Sequence, residues 1–396
     1  MENFIYHAPT KVIFGKDSIK SLAKEVEALE DQRALLVYGS SRIENNGILS
    51  TIEEELDALG IEHQRFPGVK ANPTLSHAKE GIRIAKDFSA DIIIGVGGGS
   101  ALDTAKAIAI GAENPGDLWD IWQGKLPIIQ TLDMAAVLTI PAAGSEMSNS
   151  AVLTNEETKQ KMGLTTEFNR PKFAIMDPTY ALTLPKKQIA CGVVDIMMHT
   201  LDRYFSPKEM LHNHMSTEIA HGLLRNVIKW GKIAYDDPSN YEAMSEIMWA
   251  SSLSHNDLTG LGGGRDFSVH QLGHEISAMF DIAHGESLSA VWGTWCRYVL
   301  DTNVDLFVQY ANKVWNIEGN DREAAIKGIE KTEQFFKSLN MPICIPDLSC
   351  GILDSKTLNE LALRCSRYGK RKVGVFYPLD EKGLKEVYYL ANCLAK

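Results

Sequence analysis

Ile94-Gly-Val-Gly-Gly-Gly-Ser-Ala-Leu-Asp-Thr-Ala-Lys106 is the stretch that decides the fold. The apolar run Asp91-Ile-Ile-Ile-Gly-Val96 reads as a buried strand; it ends in Gly97, Gly98, Gly99 and Ser100 and passes directly into a helical pattern. Glycines there let backbone approach a pyrophosphate closely, and the helix start offers free N–H groups and a favourable dipole. A tight strand-to-helix turn would also need glycine, but three in a row followed by Ser100 favour a phosphate cradle. The loop is neither a Walker loop nor the ordinary dinucleotide fingerprint, which opens the first βαβ unit and is followed by an acid about 20 residues later.

Upstream and downstream of this loop, Ala34–Tyr38, Ala135–Thr139 and Phe173–Met176 read as further buried strands. Residues 17–29, 48–59 and 75–88 have helical periodicity. Strand alternating with helix implies a parallel sheet. After Pro185 the pattern changes to long periodic segments, 188–204, 215–235, 241–254, 267–280, 287–299, 305–314 and 321–338, all read as helices. The expected division is therefore 1–185, a Rossmann-like dinucleotide-binding domain, and 186–396, an all-α domain, with the boundary in the proline-bracketed Asp177–Pro185. A chain of 396 residues exceeds the usual single-core limit of about 250–300, in keeping with two domains.

The strand 34–38 runs into Gly39-Ser40-Ser41-Arg42, with no acid to grip a ribose 2′-hydroxyl. Small residues and an arginine suit a 2′-phosphate, so Gly39, Ser40 and Ser41 point to NADP(H) over NAD(H); the alternative is an ordinary polar turn. Thr139-Ile-Pro-Ala-Ala-Gly-Ser145 could add hydroxyl and backbone donors, and Lys161 could reach a ribose or phosphate.

The helical half holds two pairs of metal-capable side chains four apart, Asp195/His199 and His270/His274, each stacked on one helix face, with His284 ten residues further on. Asp195 sits among Val193, Val194, Ile196, Met197 and Met198, where an unpaired charge is costly and a bound cation would remove the cost. Four imidazoles and a carboxylate are one donor more than a four-ligand site needs, and spacing does not say which is spare. The residue after His270 is Gln271, so the base of a zincin-type hydrolase is missing from its place.

Composition narrows the partners. Hydrophobic residues at 44% and charged ones at 23% are ordinary for a globular protein, and a net charge of −11 argues against nucleic acid or an anionic membrane. Six scattered cysteines without a Cys-x-x-Cys pair, an N-terminus lacking a basic flank, and no run near the ~20 apolar residues of a membrane span give the expectation of a cytoplasmic protein.

The Gly-Gly-Gly-Ser-x-x-Asp-x-x-Lys loop, Asp195-x-x-x-His199, His270-x-x-x-His274 and His284-Gly285 occur in an order that resembles the iron-dependent (group III) alcohol dehydrogenases. The resemblance spans nearly the whole chain, from Gly15-Lys16 through Asn72-Pro-Thr74 and Asp177-Pro178 into the helical half. It implies the dehydroquinate synthase-like fold, Rossmann-like then all-α, with the site in the cleft between the domains. By position it implies Asp195, His199, His270 and His284 as metal ligands and His274 as the non-ligand catalytic histidine. It places dinucleotide contacts at Gly97, Gly98, Gly99, Ser100, Asp103, Thr139, Ser145 and Lys161. It further implies a homodimer and one divalent metal, Fe(II) with Zn(II) as the alternative.

Two departures from the family pattern matter. Gly39 stands where NAD-preferring members carry aspartate, which aligns the chain with the NADP-preferring butanol dehydrogenase and aldehyde reductase branch. Asp202 stands where glutamate is common, and its role is left open. The function so implied is hydride transfer between NADP(H) and a short-chain primary alcohol or aldehyde, a butanol/butanal-like pair. Phe267, Trp249, Trp292 and Trp295 are possible apolar walls for such a substrate. The alternatives are a dehydroquinate synthase-like lyase or a glycerol dehydrogenase-like member of the same fold, or a non-redox nucleotide-binding metalloprotein. The lyase needs several cations around the metal, and only Arg203 and Arg265 lie near the ligands in sequence.

Overall fold

The computed structural model describes residues 3–39, 41–207 and 213–393. It divides into two compact units, His7–Leu184 and Pro185 to the C-terminus, the latter joined by the N-terminal residues up to Tyr6. None of the described helices is long and apolar enough to cross a membrane.

The first unit is built on a six-stranded sheet in the order β1-β8-β5-β4-β2-β3, every neighbouring pair parallel. The strands are β1 (Lys11–Phe14), β2 (Arg33–Tyr38), β3 (Glu62–Phe66), β4 (Ile92–Gly97), β5 (Asp133–Leu138) and β8 (Phe173–Met176). β4 and β8 are buried at every residue, and β2 and β5 at all but the first, as their continuous apolar sequences require when helices cover both faces. The two edge strands were not legible as such: Glu62-His-Gln-Arg-Phe66 has one apolar side chain, and its place is fixed by backbone pairing to β2.

The helices of this unit are α1 (Leu22–Glu27), α2 (Ser41–Asn45), α3 (Ile48–Ala58), α4 (Leu75–Phe88), α5 (Gly99–Glu113) and α6 (Leu118–Trp122). Ile94, Val96, Leu36, Ile52 and Leu56 belong to one core cluster, and Ala107, Ile110, Trp119, Trp122 and Leu153 to another. A separate antiparallel hairpin, β6 (Ser150–Asn155) with β7 (Gln160–Thr165), lies outside the sheet and was likewise unread in the sequence.

The second unit contains α7 (Lys186–Tyr204), α8 (His214–Asp236), α9 (Tyr241–His255), α10 (Ser268–Phe280), α11 (His284–Val299), α12 (Val304–Trp315), α13 (Arg322–Ser338), α14 (Ser355–Cys365) and α15 (Glu381–Ala391). Among its described residues β-pairing is confined to one isolated bridge, Val373 with Leu379, so the all-helical expectation holds. α7 is buried from Gly192 to Tyr204, polar residues included. Neighbouring helices approach it at glycines: a Cβ on Gly231 would meet Val193 at 2.8 Å, and one on Gly285 would stand 2.5 Å from the Cys191 carbonyl oxygen. α11 begins three residues earlier than the apolar periodicity indicates, so His284 opens the helix.

Candidate metal centre and nucleotide cradle

In the α/β unit the sheet register decides which loops meet. Tyr38 pairs with Val96, and Gly97 with Leu138, so β2, β4 and β5 end at one level and release Gly39, Gly97–Ser100 and Thr139 side by side. β2 leads outward to β3 whereas β4 leads the other way to β5; the carboxyl edge between β2 and β4 is the switch point where such sheets bind ligands. That explains a glycine loop placed late in sequence.

Packing leaves no room for side chains in this loop. A Cβ on Gly97 would lie 2.7 Å from that of Ala101, one on Gly98 would be 2.9 Å from Ile140, and one on Gly99 would be 3.0 Å from Ala143. α5 opens at Gly99 with no side-chain cap on its first N–H groups. Thr139 donates its N–H to the Gly97 carbonyl at 2.9 Å, while its own buried hydroxyl has no hydrogen-bond partner. Backbone donors at a helix start beside an unsatisfied buried hydroxyl fit a dinucleotide phosphate.

The other sequence-derived contacts are more committed. Ser100 Oγ donates to the Ala71 carbonyl at 2.6 Å. Asp103, partly buried, accepts from Ser145 Oγ at 2.7 Å and Val152 N–H at 2.9 Å, and its pKa is raised by desolvation. Lys106, also buried, donates to the carbonyls of Ser145, Ser148 and Ser150 at 2.7, 3.1 and 2.8 Å. Asp103 and Lys106 thus clamp the 145–152 segment onto α5; Lys106 was not singled out by sequence, although its place at the end of the glycine motif was visible. Lys161 donates to Asn72 Oδ1 at 3.0 Å.

Gly39 has a backbone reason independent of any cofactor, since a Cβ there would lie 2.9 Å from the Val69 carbonyl oxygen. Ser40 lies outside the described residues, and Ser41 opens α2. Arg42 Nη2 donates to the Tyr180 carbonyl at 2.9 Å, and burial lowers the pKa of its guanidinium.

In the helical unit Asp195 and His199 sit one turn apart on α7, His270 and His274 one turn apart on α10, and His284 at the start of α11. Asp195 Oδ1 is the centre of the group: His199 Nδ1 is 3.2 Å from it, His270 Nε2 3.7 Å and His284 Nε2 3.8 Å. Donor atoms of Asp195, His199 and His270 all lie within 4.8 Å of one another. His274 stands beside them, its ring 5.1 Å from that of His284 and 6.2 Å from that of His270. Asp195 Oδ1 and His270 Nε2 are buried without hydrogen-bond partners, as expected of atoms meant for a cation. Burial acts to raise the pKa of Asp195, and the imidazoles of His199, His270 and His284 outweigh it, holding the carboxyl well below its usual range. One carboxylate with imidazoles fits Fe(II) or Zn(II).

Asp202 acquires a definite place. Its Oδ2 lies 2.5 Å from His270 Nδ1, so the Nδ1–H tautomer donates to it and leaves the Nε2 lone pair facing Asp195. His199 Nδ1 similarly lies 3.0 Å from the Asp195 carbonyl. Asp202 follows Asp195 by seven residues, two helical turns, and that spacing was the available signal. His255, from α9, has its ring 4.0 Å from that of His199.

Phe267, at the N-cap of α10, has φ +54°, a region unfavourable for a bulky L-residue. Its ring is covered by the Arg203 guanidinium at 4.9 Å and lies 5.2 Å from His270. Arg203 also donates to the His199 carbonyl at 2.9 Å, and burial lowers its pKa to about 10. Asp266 holds the segment before α10 by accepting N–H groups from Ser268, Val375 and Phe376 at 2.8, 2.9 and 2.8 Å.

A parallel sheet with a glycine-rich loop at its switch point and a helical unit with a carboxylate–imidazole centre define a nucleotide-dependent metalloenzyme class. The chain belongs to the iron-containing alcohol dehydrogenases: residues 9–178 match the family described as "Iron-containing alcohol dehydrogenase", and residues 189–374 its "Fe-containing alcohol dehydrogenase family, C-terminal". It is 38% identical to NADH-dependent butanol dehydrogenase A of Clostridium acetobutylicum over 98% of this chain and 99% of that protein. It is 33% identical to the NADPH-dependent aldehyde reductase YqhD of Escherichia coli over 99% of this chain and all of the relative (100%). Among solved structures, NADH-dependent butanol dehydrogenase A of Thermotoga maritima superposes with a TM-score of 0.94 at 34% identity, covering 99% of both chains. The protein is an oxidoreductase acting on CH–OH groups, an alcohol dehydrogenase or aldehyde reductase whose family implies a nucleotide cofactor and an iron-type metal.

Proposed function

We propose that the chain interconverts short-chain primary alcohols and aldehydes of the butanol/butanal kind, using NADP(H) in preference to NAD(H) and one divalent cation, Fe(II), held by Asp195, His199, His270 and His284. The observation that carries this reading is the single carboxylate oxygen of Asp195 facing three imidazole nitrogens within 3.8 Å. When bound, the cation supplies Lewis acidity toward a carbonyl oxygen, and the nicotinamide supplies or accepts hydride.

The chain's own residues set the conditions for that chemistry. Asp195 contributes the one anionic ligand and leaves the centre cationic overall, suited to developing negative charge on oxygen. Asp202 fixes the His270 tautomer, and Arg203 with Phe267 brace the helix ends that carry His199 and His270. His274, beside the ligands and not required among them, is placed to give the product oxygen its proton and to take it back in alcohol oxidation. The glycine loop and Thr139 hold the dinucleotide phosphates, with Asp103 and Lys106 fixing the loop behind them.

The NADP(H) preference rests on the absence of any carboxylate at Gly39 that would repel a 2′-phosphate. The butanol dehydrogenase and aldehyde reductase relatives divide on this point by name. The lyase reading loses its two candidate cations, because Arg203 and Arg265 both face Asp257, at 3.8 and 3.0 Å.

The test is cofactor oxidation by anaerobically purified, metal-stripped protein given Fe(II) and butanal, with NADPH and NADH compared side by side. Iron-restored turnover faster with NADPH is the expected result. Faster turnover with NADH would refute the 2′-phosphate reading, and no oxidation with either cofactor, across several short aldehydes and with Zn(II) as well, would refute the reaction. A His274→Ala variant with full activity would remove the proton-transfer role.

A further inference from the structure

From the last turn of α14 to the turn that follows it the chain concentrates positive charge that the catalytic reading does not use. Arg364, Arg367, Lys370, Arg371 and Lys372 fall within nine residues of a chain whose net charge is −11. The segment Gly369–Lys372 and the start of α15 border an open surface cavity of about 670 Å³ lined by Gly369, Lys370, Arg371, Lys372, Asp380, Glu381, Lys382 and Lys385. Five cations against two carboxylates leave its wall at a formal charge of +3.

The backbone is built to present these groups. Arg367, Tyr368 and Gly369 have φ of +50°, +56° and +74°, three consecutive left-handed residues, two of which carry side chains that disfavour it. The turn is held by Tyr368 N–H to the Leu363 carbonyl at 2.6 Å, Arg371 N–H to the Ser366 carbonyl at 3.0 Å and Gly369 N–H to Ser366 Oγ at 3.0 Å. Beyond it Lys370 and Lys372 are exposed while Arg371 turns inward. Its Nε donates to the Cys365 carbonyl at 3.0 Å and its Nη2 to Gln271 Oε1 at 2.7 Å, which makes it a fixed inner wall.

Among the described residues, Lys370, Lys372, Lys382 and Lys385 have no carboxylate within ion-pair distance. Asp380 is engaged as the α15 cap, accepting from Gly383 N–H at 2.9 Å.

We propose that this cavity, which includes none of the candidate metal ligands, binds a small phosphate-bearing anion other than the nucleotide cofactor. A fixed guanidinium flanked by exposed ammonium groups suits a multiply charged phosphate oxygen set. The cavity has the volume of a small-molecule site. The strongly acidic remainder of the chain opposes an extended polyanion such as nucleic acid or an anionic membrane surface. None of this depends on the redox reading.

The test is isothermal titration of the full-length protein with inorganic phosphate in low-salt buffer, repeated with saturating NADPH and with saturating NADH. The expected result is one saturable site per chain, unaffected by either nucleotide, its affinity falling about tenfold in the triple variant Lys370→Gln/Lys372→Gln/Lys382→Gln and with added salt. Circular dichroism and the thermal midpoint of that variant should match the parent, because all three side chains are exposed. Absence of saturable binding, displacement by nucleotide, or undiminished affinity in the triple variant would each overturn the proposal.

Discussion

Asp202 shows what a single side chain contributes to this centre without touching a cation. An Asp202→Asn variant keeps the shape but offers His270 Nδ1 a weaker, uncharged acceptor, or an amide N–H that favours the wrong tautomer. Metal affinity is expected to fall about 10- to 100-fold, read by competition with a chromophoric chelator, and Asp202→Ala should be no better. Equal affinity in Asp202→Asn would mean that the hydrogen bond is incidental. The candidate ligands stood out in the sequence because metal-capable side chains in apolar surroundings are conspicuous; Asp202 stood out only as a departure from the family pattern and its role was not legible, because an acid two turns from another acid on a helix is common, and only folding α10 against α7 shows which imidazole it meets. His255 was illegible for the same reason: its closeness to His199 depends on how α9 crosses α7.

Elements in this protein place functional groups by how closely they approach one another. α11 starts at His284, and the next residue, Gly285, lies against the Cys191 carbonyl of α7. Gly285→Ala should force the start of α11 away, cost about 1–3 kcal/mol of stability as overpacking does, and loosen the metal by displacing His284. A thermal midpoint and metal content both unchanged would contradict that account. At the opposite, amino ends of the strands in the α/β unit, Asp31 has its pKa raised to about 7 by burial, with Asp133 and Asp91 adding to it. A carboxyl whose folded pKa is raised weakens the fold once ionised: the penalty is absent below its unfolded value near 4, grows as pH rises, and is complete above about 7. Asp31→Asn should therefore raise the melting temperature at pH 8 and change it little at pH 4; a gain that grew toward acid would refute this. Edge strand β3 escaped the sequence reading because hydrophobic periodicity reports burial, whereas Glu62–Phe66 is held by backbone pairing; β1 and the β6–β7 hairpin escaped it although Val12, Ile13 and Phe14 are apolar and β6 buries Ala151 and Leu153 in alternation. α14 and α15, short amphipathic helices separated by a basic turn, were missed as well.

For the whole molecule, two compact units with cores of their own predict two separable responses to ligands. Chelation should lower the calorimetric transition of the helical unit, whereas NADPH should raise that of the α/β unit, by about 2.7 kcal/mol at a hundred times its dissociation constant. A single transition that shifts equally with either ligand would show that the units unfold as one. The sequence by itself determined the α/β-then-helical division, the four central strands, the glycine loop and the five metal-capable residues, because continuous apolar runs, glycine runs and i, i+4 pairs are local properties of a chain. Only the tertiary structure decided that Asp195 Oδ1 stands at the focus of three imidazoles, that Asp202 and Lys106 hold the two sites in shape, and that lysines from two separate segments share one cavity. Apart from Asp195 and His199, one turn apart on α7, those relations join residues from ten positions apart (Lys372 and Lys382) to 89 (Asp195 and His284), and distance in space between such residues is set by strand register and helix packing, which no local pattern encodes.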